Sequence, residues 1–470
     1  MSQSKRPYKL PKNLTIDADK IKNGVSYETL KKYIEYNEER FPRLIYLEKL
    51  YDGFHDILHQ PEKEEWKPDN RLIVNFAREM TETFLGYYNG VPISETHPDE
   101  NINESFLQFQ RQNEIDDHES ELIKTACKYG HAFEYIYQDE NARTKMTVLN
   151  PMECFVVYDN TLKNHALFAV RYGYKEDLEH SGIKKLYGEI LEKYQITPFN
   201  DQKLLEPYDN VYGYIPVVEY RLNDERMGLY EPAAGLIEAY NQTLSFKKND
   251  IDEFAEAYLA VIGAELDDDG YKKIRDNRLI NIYGTDDPKE ILVNFLSRPS
   301  ADGSQENLLN RLEDLIYRVC MISNITDDTF GNATSGRALA YKLKPMSDLA
   351  RVADRKVSKS LKKRYKIFCS LSTNCPNPNA WEDLDIKTTR NTPEEILSIT
   401  EQVQAVRDSE GIVSHKTQLE HHPYVVNVDD ELERLQNEEA DAMSARPDLS
   451  LFRQRQNTNT EDTVTPKQEG

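Results

Sequence analysis

Long apolar runs are missing from this chain. No stretch approaches the roughly 18 apolar residues that a membrane-spanning helix needs, and the mean hydropathy is -0.73. The opening MSQSKRPYKLPKN has no apolar segment of the kind a secretory signal carries, so none is expected. Cysteine is scarce: there are five, at 127, 154, 320, 369 and 375, with no Cys-x-x-Cys. That excludes a disulfide framework or a zinc ribbon as the organising element and predicts a reducing, cytoplasmic setting. Positive charge is short, 59 Lys and Arg against 82 Asp and Glu, for a net charge of -23. Tight, non-specific DNA binding needs a basic footprint that this total does not supply. There is no Gly-x-Ser-x-Gly nucleophile elbow and no His-Glu-x-x-His.

What the chain does have is apolar material in periodic order. With 29 Tyr and 16 Phe in 470 residues, two to four domain cores can be filled. Residues 1–25 read as a polar arm. Helical spacing then runs to about residue 59 through Tyr33, Ile34, Leu44, Leu47, Leu50 and Tyr51. RLIVNFAREMTETFLGYYNG reads as a second helix, stopped by Gly90 with Pro92 beyond, and a third covers 116–129. Strand patterns follow in HAFEYIYQD, KMTVLNP, CFVVYD and ALFAVRYGY, then over 184–194 and 213–220. EPAAGLIEAYNQTLSFKKNDIDEFAEAYLAV reads as one long helix with Pro232 in its first turn. A short α/β insert over 261–299 holds a DDDG turn and the strand-like LINIYG and ILVNFL. A second long helix starts at Ser304, where Leu308, Leu312, Leu315, Val319 and Ile322 form a narrow packing seam spaced by four and three. A basic helix follows to about residue 371, with Pro345 as a kink site, and CPNPN breaks it. DLDIKTTR reads as a strand. Residues 392–443 read as helical and acidic, capped by Asn391 or Thr392 with Pro393 in the first turn, and the Gln/Asn/Thr-rich remainder as disordered.

Five clusters invite chemistry. DTFGNATSGRALAYKLKPM (328–346) sets Gly331 and Gly336 at the spacing of the Gly-x-x-x-x-Gly half of a phosphate-binding loop, just before a helix. Such a loop continues with Lys and then Ser or Thr. Here those positions hold Arg337 and Ala338, so the hydroxyl for Mg²⁺ is missing. The plainer reading is a loop with Thr334 or Ser335 as N-cap. His55 and His59 in HDILH would share a helix face, but no Glu follows the first His, and a solvated or half-buried pair is favoured. Adjacent His421 and His422 would point apart on a helix and read as structural. Asp267, Asp268 and Asp269 are consecutive, with Arg278 at the twelfth position, so they read as an exposed turn and not a calcium loop. No metal or cofactor is expected. Finally, eleven Lys and Arg between 333 and 366 face only Asp348 and Asp354, which leaves the rest of the chain near -32. Such a belt fits loose contact with DNA phosphates, or an acidic face of a neighbouring subunit, through Arg337, Lys342, Lys344 and Arg351.

Four stretches carry a family resemblance: NFAREMTETFLGYYNGVPI; KYGHAFEYIYQD with LNPMECFVVYD; IPVVEYRLNDERMGLYEPAAGLIEAYNQTLS; and FGNATSGRALAYKLKPM. In this order, with a helix–insert–helix–loop–helix arrangement, the chain resembles the portal proteins of tailed bacteriophages over about 26–443. The resemblance implies an α+β portal fold. Its parts would be an arm (1–25), a mixed α/β wing (26–230), a two-helix stem (231–258 and 303–322), a small α/β clip (259–302) and a tunnel loop (323–335). A long helix with the second part of the wing (336–391), a helical crown (392–445) and a disordered tail (446–470) would follow. Asp327, Asp328, Thr329, Phe330, Gly331, Asn332, Thr334 and Ser335 would then face the channel, and Leu308, Leu312, Leu315 and Val319 would pack the stem.

The implied function is non-enzymatic. It is a ring, usually of twelve subunits closed by head-to-tail contacts, at the capsid vertex. The ring would nucleate procapsid assembly and conduct double-stranded DNA during packaging and ejection. The implied partners are the terminase large subunit, a head-completion adaptor, scaffolding protein and the major capsid protein, with no membrane. The implied location is the virion, and the host cytoplasm during assembly. An acidic conduit suits sliding, because each neutralised phosphate adds salt-dependent affinity. Two alternatives stay open from the residues: a nucleotide-dependent DNA-processing enzyme using the loop between Gly331 and Gly336, and a monomeric adaptor without a channel.

Overall fold

The computed structural model describes residues 10–22, 24–64, 67–90, 93–97, 99–176, 184–255, 258–262, 279–282, 292–296, 302–325, 336–375, 387–389, 403–420, 422, 424–425, 428, 431–432 and 434–438. The chain divides into two units, Met1–Arg390 and Asn391–Gly470.

The first unit is α+β. Helix α1 (Tyr27–Glu38) begins at Ser26, whose Oγ accepts the Thr29 N–H at 3.2 Å. This supplies a partner that the first turn of a helix lacks. Its Leu30, Tyr33, Ile34 and Asn37 recur at three and four and are buried. Helices α2 (Phe41–Asp52), α3 (Phe76–Asn89), α4 (Glu100–Gln112) and α5 (Ile115–Tyr129) follow. At the end of α5, Gly130 has φ +87°, and an added Cβ would lie 2.1 Å from the Arg226 carbonyl oxygen. Glycine therefore makes the turn from helix into strand.

Two sheets pack behind these helices. Strands β5 (Cys154–Asp159), β6 (Ala166–Glu176), β7 (Lys184–Leu191), β8 (Gln195–Asn200) and β9 (Tyr208–Asp209) run antiparallel, and β1 (Leu14–Ile16) joins the β5 edge in parallel. The second sheet has the order β10-β3-β4, from Val217–Arg221, His131–Gln138 and Thr144–Leu149. Alternation along β5 sends Phe155 and Val157 to one core with Leu30 and Ile34 of α1. Cys154 and Val156 go to another core with Phe133 of β3 and Val217 of β10. Both faces are covered, which is why CFVVYD is an unbroken apolar run.

The long helices are α6 (Ala234–Ala255), α7 (Asp302–Cys320) and α8 (Gly336–Cys369). Between α6 and α7, strands β11 (Tyr258–Ile262), β12 (Leu279–Ile282) and β13 (Leu292–Leu296) form a small sheet, parallel between β11 and β12 and antiparallel between β11 and β13. After α8, β14 (Lys387–Thr389) pairs with β2 (Ser94–Thr96).

Several expectations change. Part of the supposed polar arm is structured: β1 pairs with β5, Arg40 donates to the Lys12 carbonyl at 2.8 Å, and Arg226 donates to Asn13 Oδ1 at 2.7 Å. Three residues are too short a strand to show a pattern. The helix expected to run through Val261 is observed over Ala234–Ala255, and YLAVI becomes β11, since its apolar run suits either state. The region 26–59 is two helices and a single 3₁₀ turn, Asp56–His59. His55 and His59 therefore do not share an α-helical face. His55 is buried with Nδ1 3.2 Å from Glu238. Helix α4 was not anticipated. Pro345 lies inside α8.

In the second unit, residues 403–408 and α9 (His415–Glu420) are helical. Ser414 Oγ accepts the Thr417 N–H at 3.3 Å and caps α9. His422 lies beyond that helix and accepts the Tyr424 N–H at 3.4 Å through Nδ1. The triple aspartate, the Pro-Asn break after Cys375, His421, the cap at 391–393 and the tail after 444 lie outside the described residues.

Candidate functional site

The site is built on the three long helices. Helix α6 is fastened at its start: Arg43 of α2 grips Glu231, just ahead of α6, with Nε at 2.8 Å and a second nitrogen at 2.5 Å. Along its length, Asn241, Ser245 and Asn249 are buried in one stripe. Their side-chain oxygens accept the backbone N–H groups of Val74, Leu72 and Asn70 at 2.8, 2.9 and 2.6 Å. The spacing has a cause. Four residues of helix rise about 6 Å, close to the roughly 6.6 Å of two residues of extended chain. Every fourth side chain therefore meets every second N–H.

Helix α7 packs on α6. Phe76 of α3 lies edge-on to both Tyr240 and Tyr317, at 4.9 and 5.9 Å, and Tyr317 donates to Glu79 at 2.6 Å. The buried face of α7 is Leu309, Leu312, Ile316, Tyr317 and Cys320. Of the four residues expected to pack, Leu312 is buried and Leu315 half-buried, while Leu308 and Val319 are 46% and 43% exposed within the subunit. The seam inside the chain is thus rotated by about one residue from the stripe in the sequence.

Beyond α7 the chain is held on both sides of the glycine segment. Ile322 is buried, Asn324 donates to Glu313 of α7 at 3.2 Å, and Ser323 Oγ donates to the Lys342 carbonyl of α8 at 2.9 Å. On the α8 side, Leu343 and Met346 enter the same large core as Ile316 and Ile322. The described residues on either side, 322–324 and 342–346, are thereby fixed. Asp327, Asp328, Thr329, Phe330, Gly331, Asn332, Thr334 and Ser335 themselves lie outside the described residues. So does the side chain of Arg337, in the first turn of α8. Lys344 is exposed and pairs with Asp348 at 2.7 Å, and Arg351 is exposed.

The basic helix is not uniformly solvated. Arg364 is fully buried. Its Nε lies 3.0 Å from both Glu134 oxygens, and its terminal nitrogens reach Glu134 at 2.7 Å and Glu119. His118 and Tyr220 also bond Glu134, at 2.8 and 3.0 Å. Burial alone would raise the Glu134 pKa; the Arg364 charge and the His118 contact outweigh it and hold it down to about 2. A third carboxyl, Glu95 on β2, accepts from Tyr365 at 2.9 Å and Gln110 at 3.2 Å. Burial first, then the Glu119 charge, push Glu95 up to about 8. One guanidinium cannot neutralise three buried carboxylates, so a proton does part of the work. Nothing in the local sequence marks Arg364 among its neighbours. Its partners lie 230 and 245 residues away. The helix is thus locked to β3, α5 and β2, with Lys356 also paired to Asp224 at 2.6 Å.

Among the described residues no group of His, Cys, Asp and Glu is placed to hold a metal ion, and no helix is long and apolar enough to cross a membrane.

Comparison with known proteins bears on this arrangement. The portal protein of Bacillus phage SPP1 is 21% identical over 438 residues, which cover 83% of this chain and 80% of that one. Among solved structures, the chain is similar to one from the neck of a native GTA particle computed with C12 symmetry. The identity is 13%, the TM-score 0.41, and 73% of this chain and 88% of the other are covered. A chain from the neck of an empty GTA particle computed with C6 symmetry gives 14% and the same score and coverage. The family model for phage portal proteins, SPP1 Gp6-like, matches residues 30–445 and so takes in α2 to α8 and most of the second unit. By that match the chain belongs to the SPP1 Gp6-like phage portal proteins, a structural and not a catalytic family.

Proposed function

We propose that the chain forms a closed homo-oligomeric ring of twelve subunits at a capsid vertex, through which double-stranded DNA enters during packaging and leaves during ejection. The family match over 30–445 carries this reading. In it, α6 and α7 are the stem, the small sheet β11–β13 belongs to the clip, and residues 26–230 with 336–391 make the wing. The second unit over 392–445 is the crown. The ring is part of the virion and is assembled in the host cytoplasm. It nucleates the procapsid with scaffolding and major capsid proteins and docks the terminase large subunit and a head-completion adaptor.

Residues 323–335 are the tunnel loop in this reading. The hydrogen bond from Ser323 to Lys342 supports it, because a loop that meets moving DNA needs fixed ends. Loops on a rigid scaffold commonly carry function for this reason. Leu308 and Val319, exposed on α7, are assigned to contacts with the next subunit. Arg337, Lys342, Lys344 and Arg351 are assigned to contacts with DNA or with an acidic neighbour, Lys344 exchanging its exposed pairing with Asp348. The test is the double substitution of Gly331→Leu with Gly336→Leu. Rings should form as before while the DNA content per particle falls. Normal DNA content in such particles would refute the tunnel-loop assignment.

A further inference from the structure

All five cysteines are buried and free. Cys127, Cys154 and Cys320 sit singly in apolar cores, where a small hydrophobic side chain is reason enough for them. Cys369 and Cys375 are different. Their Sγ atoms are 2.9 Å apart, whereas a disulfide needs about 2.05 Å, so about 0.9 Å of approach separates contact from bond.

The placement is built, not incidental. Cys369 is the last residue of α8, and the chain then turns back on the helix end. Ser370 N–H and Oγ both donate to the Ile367 carbonyl, at 3.2 and 2.6 Å. The Asn374 and Cys375 N–H groups donate to the Leu371 carbonyl at 3.0 and 3.1 Å. The Asn374 amide reaches the Phe368 carbonyl and Thr144 Oγ1, both at 2.9 Å. Six hydrogen bonds thus hold the second thiol against the first. The contact shares a proton between the sulfurs and holds Cys375 below the ordinary thiol range, which favours the nucleophilic thiolate. Ser372 and Thr373, at the tip of the turn, are exposed, so local opening of a short surface turn brings a small oxidant to the pair.

We propose that Cys369 and Cys375 form a reversible intrachain disulfide, a redox-sensitive staple that fixes where the chain leaves α8. The oxidant class is a low-molecular-weight disulfide, such as oxidised glutathione. The Cys375 thiolate attacks one glutathione sulfur, forming a mixed disulfide and expelling one glutathione thiolate. Cys369 then loses its proton to solvent and attacks the Cys375 sulfur, expelling the second. Two protein thiols are oxidised and one glutathione disulfide is reduced to two thiols. The closed loop is short, so little stabilisation through chain entropy follows. The effect is local: the exit toward β14, which pairs with the Glu95 strand, becomes covalently fixed.

The test uses the native full-length protein, incubated with oxidised glutathione, acid-quenched, alkylated after denaturation and mapped by peptide mass. The expected result is a fall from five alkylated cysteines per chain to three, a single peptide holding both Cys369 and Cys375 that is unalkylated and lighter by two hydrogen atoms, and reversal by dithiothreitol. Cys375→Ser should abolish the looped peptide. The unsubstituted protein alone decides the matter if that variant folds poorly. Five alkylated cysteines after oxidation, a lasting glutathione adduct, or bridges to any other cysteine would overturn the proposal.

Discussion

At the scale of single residues, the molecule depends on one buried arginine. Arg364 pairs with Glu134 and Glu119 inside the core, and Tyr365 beside it holds Glu95. Removing one partner leaves the others charged and dry. Arg364→Met should therefore cost about 3–5 kcal/mol in urea unfolding, far more than an exposed charge on the same helix such as Lys359. Glu95 gives the fold a pH dependence of opposite sense to an ordinary paired carboxylate. Its folded pKa is raised to about 8, so the folded state binds the proton more tightly than the unfolded chain does. The stabilisation it contributes is complete below the ordinary carboxylate range and is lost as pH rises through about 8. Glu134, held down to about 2, acts in the other direction and loses its contribution only as pH falls toward that value. The thermal midpoint should thus decline between pH 6 and 9, and Glu95→Gln should flatten that decline. An unchanged slope in the variant would show that Glu95 is not the group responsible. None of this was legible in the sequence. Arg364 reads there as one more charge in a basic run, because burial is decided by contacts more than 200 residues away.

Between elements, polar side chains do as much positioning as apolar ones. Asn241, Ser245 and Asn249 fasten the extended segment 70–74 to α6. Asn241→Leu strands the Val74 N–H and should cost about 1–3 kcal/mol in urea unfolding. On α7, Leu312→Ala should cost about 2–5 kcal/mol. Leu308→Ala should leave subunit stability within about 0.5 kcal/mol and lower the yield of rings instead. Equal losses of stability at the two positions would mean that both serve the same seam. The apolar spacing in the sequence found α7 but not the orientation of its buried face, because two adjacent stripes on it are apolar and only one meets α6. The long, periodic elements α3, α5, α8 and the strands β3 to β6 were legible for the same reason that they are stable: each carries a buried face of several residues. β1 is three residues long, and β11 is an apolar run continuous with a helix, so neither offers a period to read.

For the whole molecule, order along the chain was more informative than any motif. The glycine pair at 331 and 336 resembles a phosphate loop, yet Arg337 stands where that motif has Lys and Ala338 lacks the hydroxyl that would hold Mg²⁺. The helix–sheet–helix–segment–helix succession pointed to the portal family, and the family match agrees. In the proposed function, copies of this chain close on themselves around a channel. Native mass spectrometry of the purified chain, paired with negative-stain images of the same sample, tests it most directly. A single closed oligomer is expected, twelve subunits by mass, with a stain-filled central hole. A chain that stays a single subunit at every concentration and ionic strength, and also when co-produced with its scaffolding and capsid proteins, would contradict it.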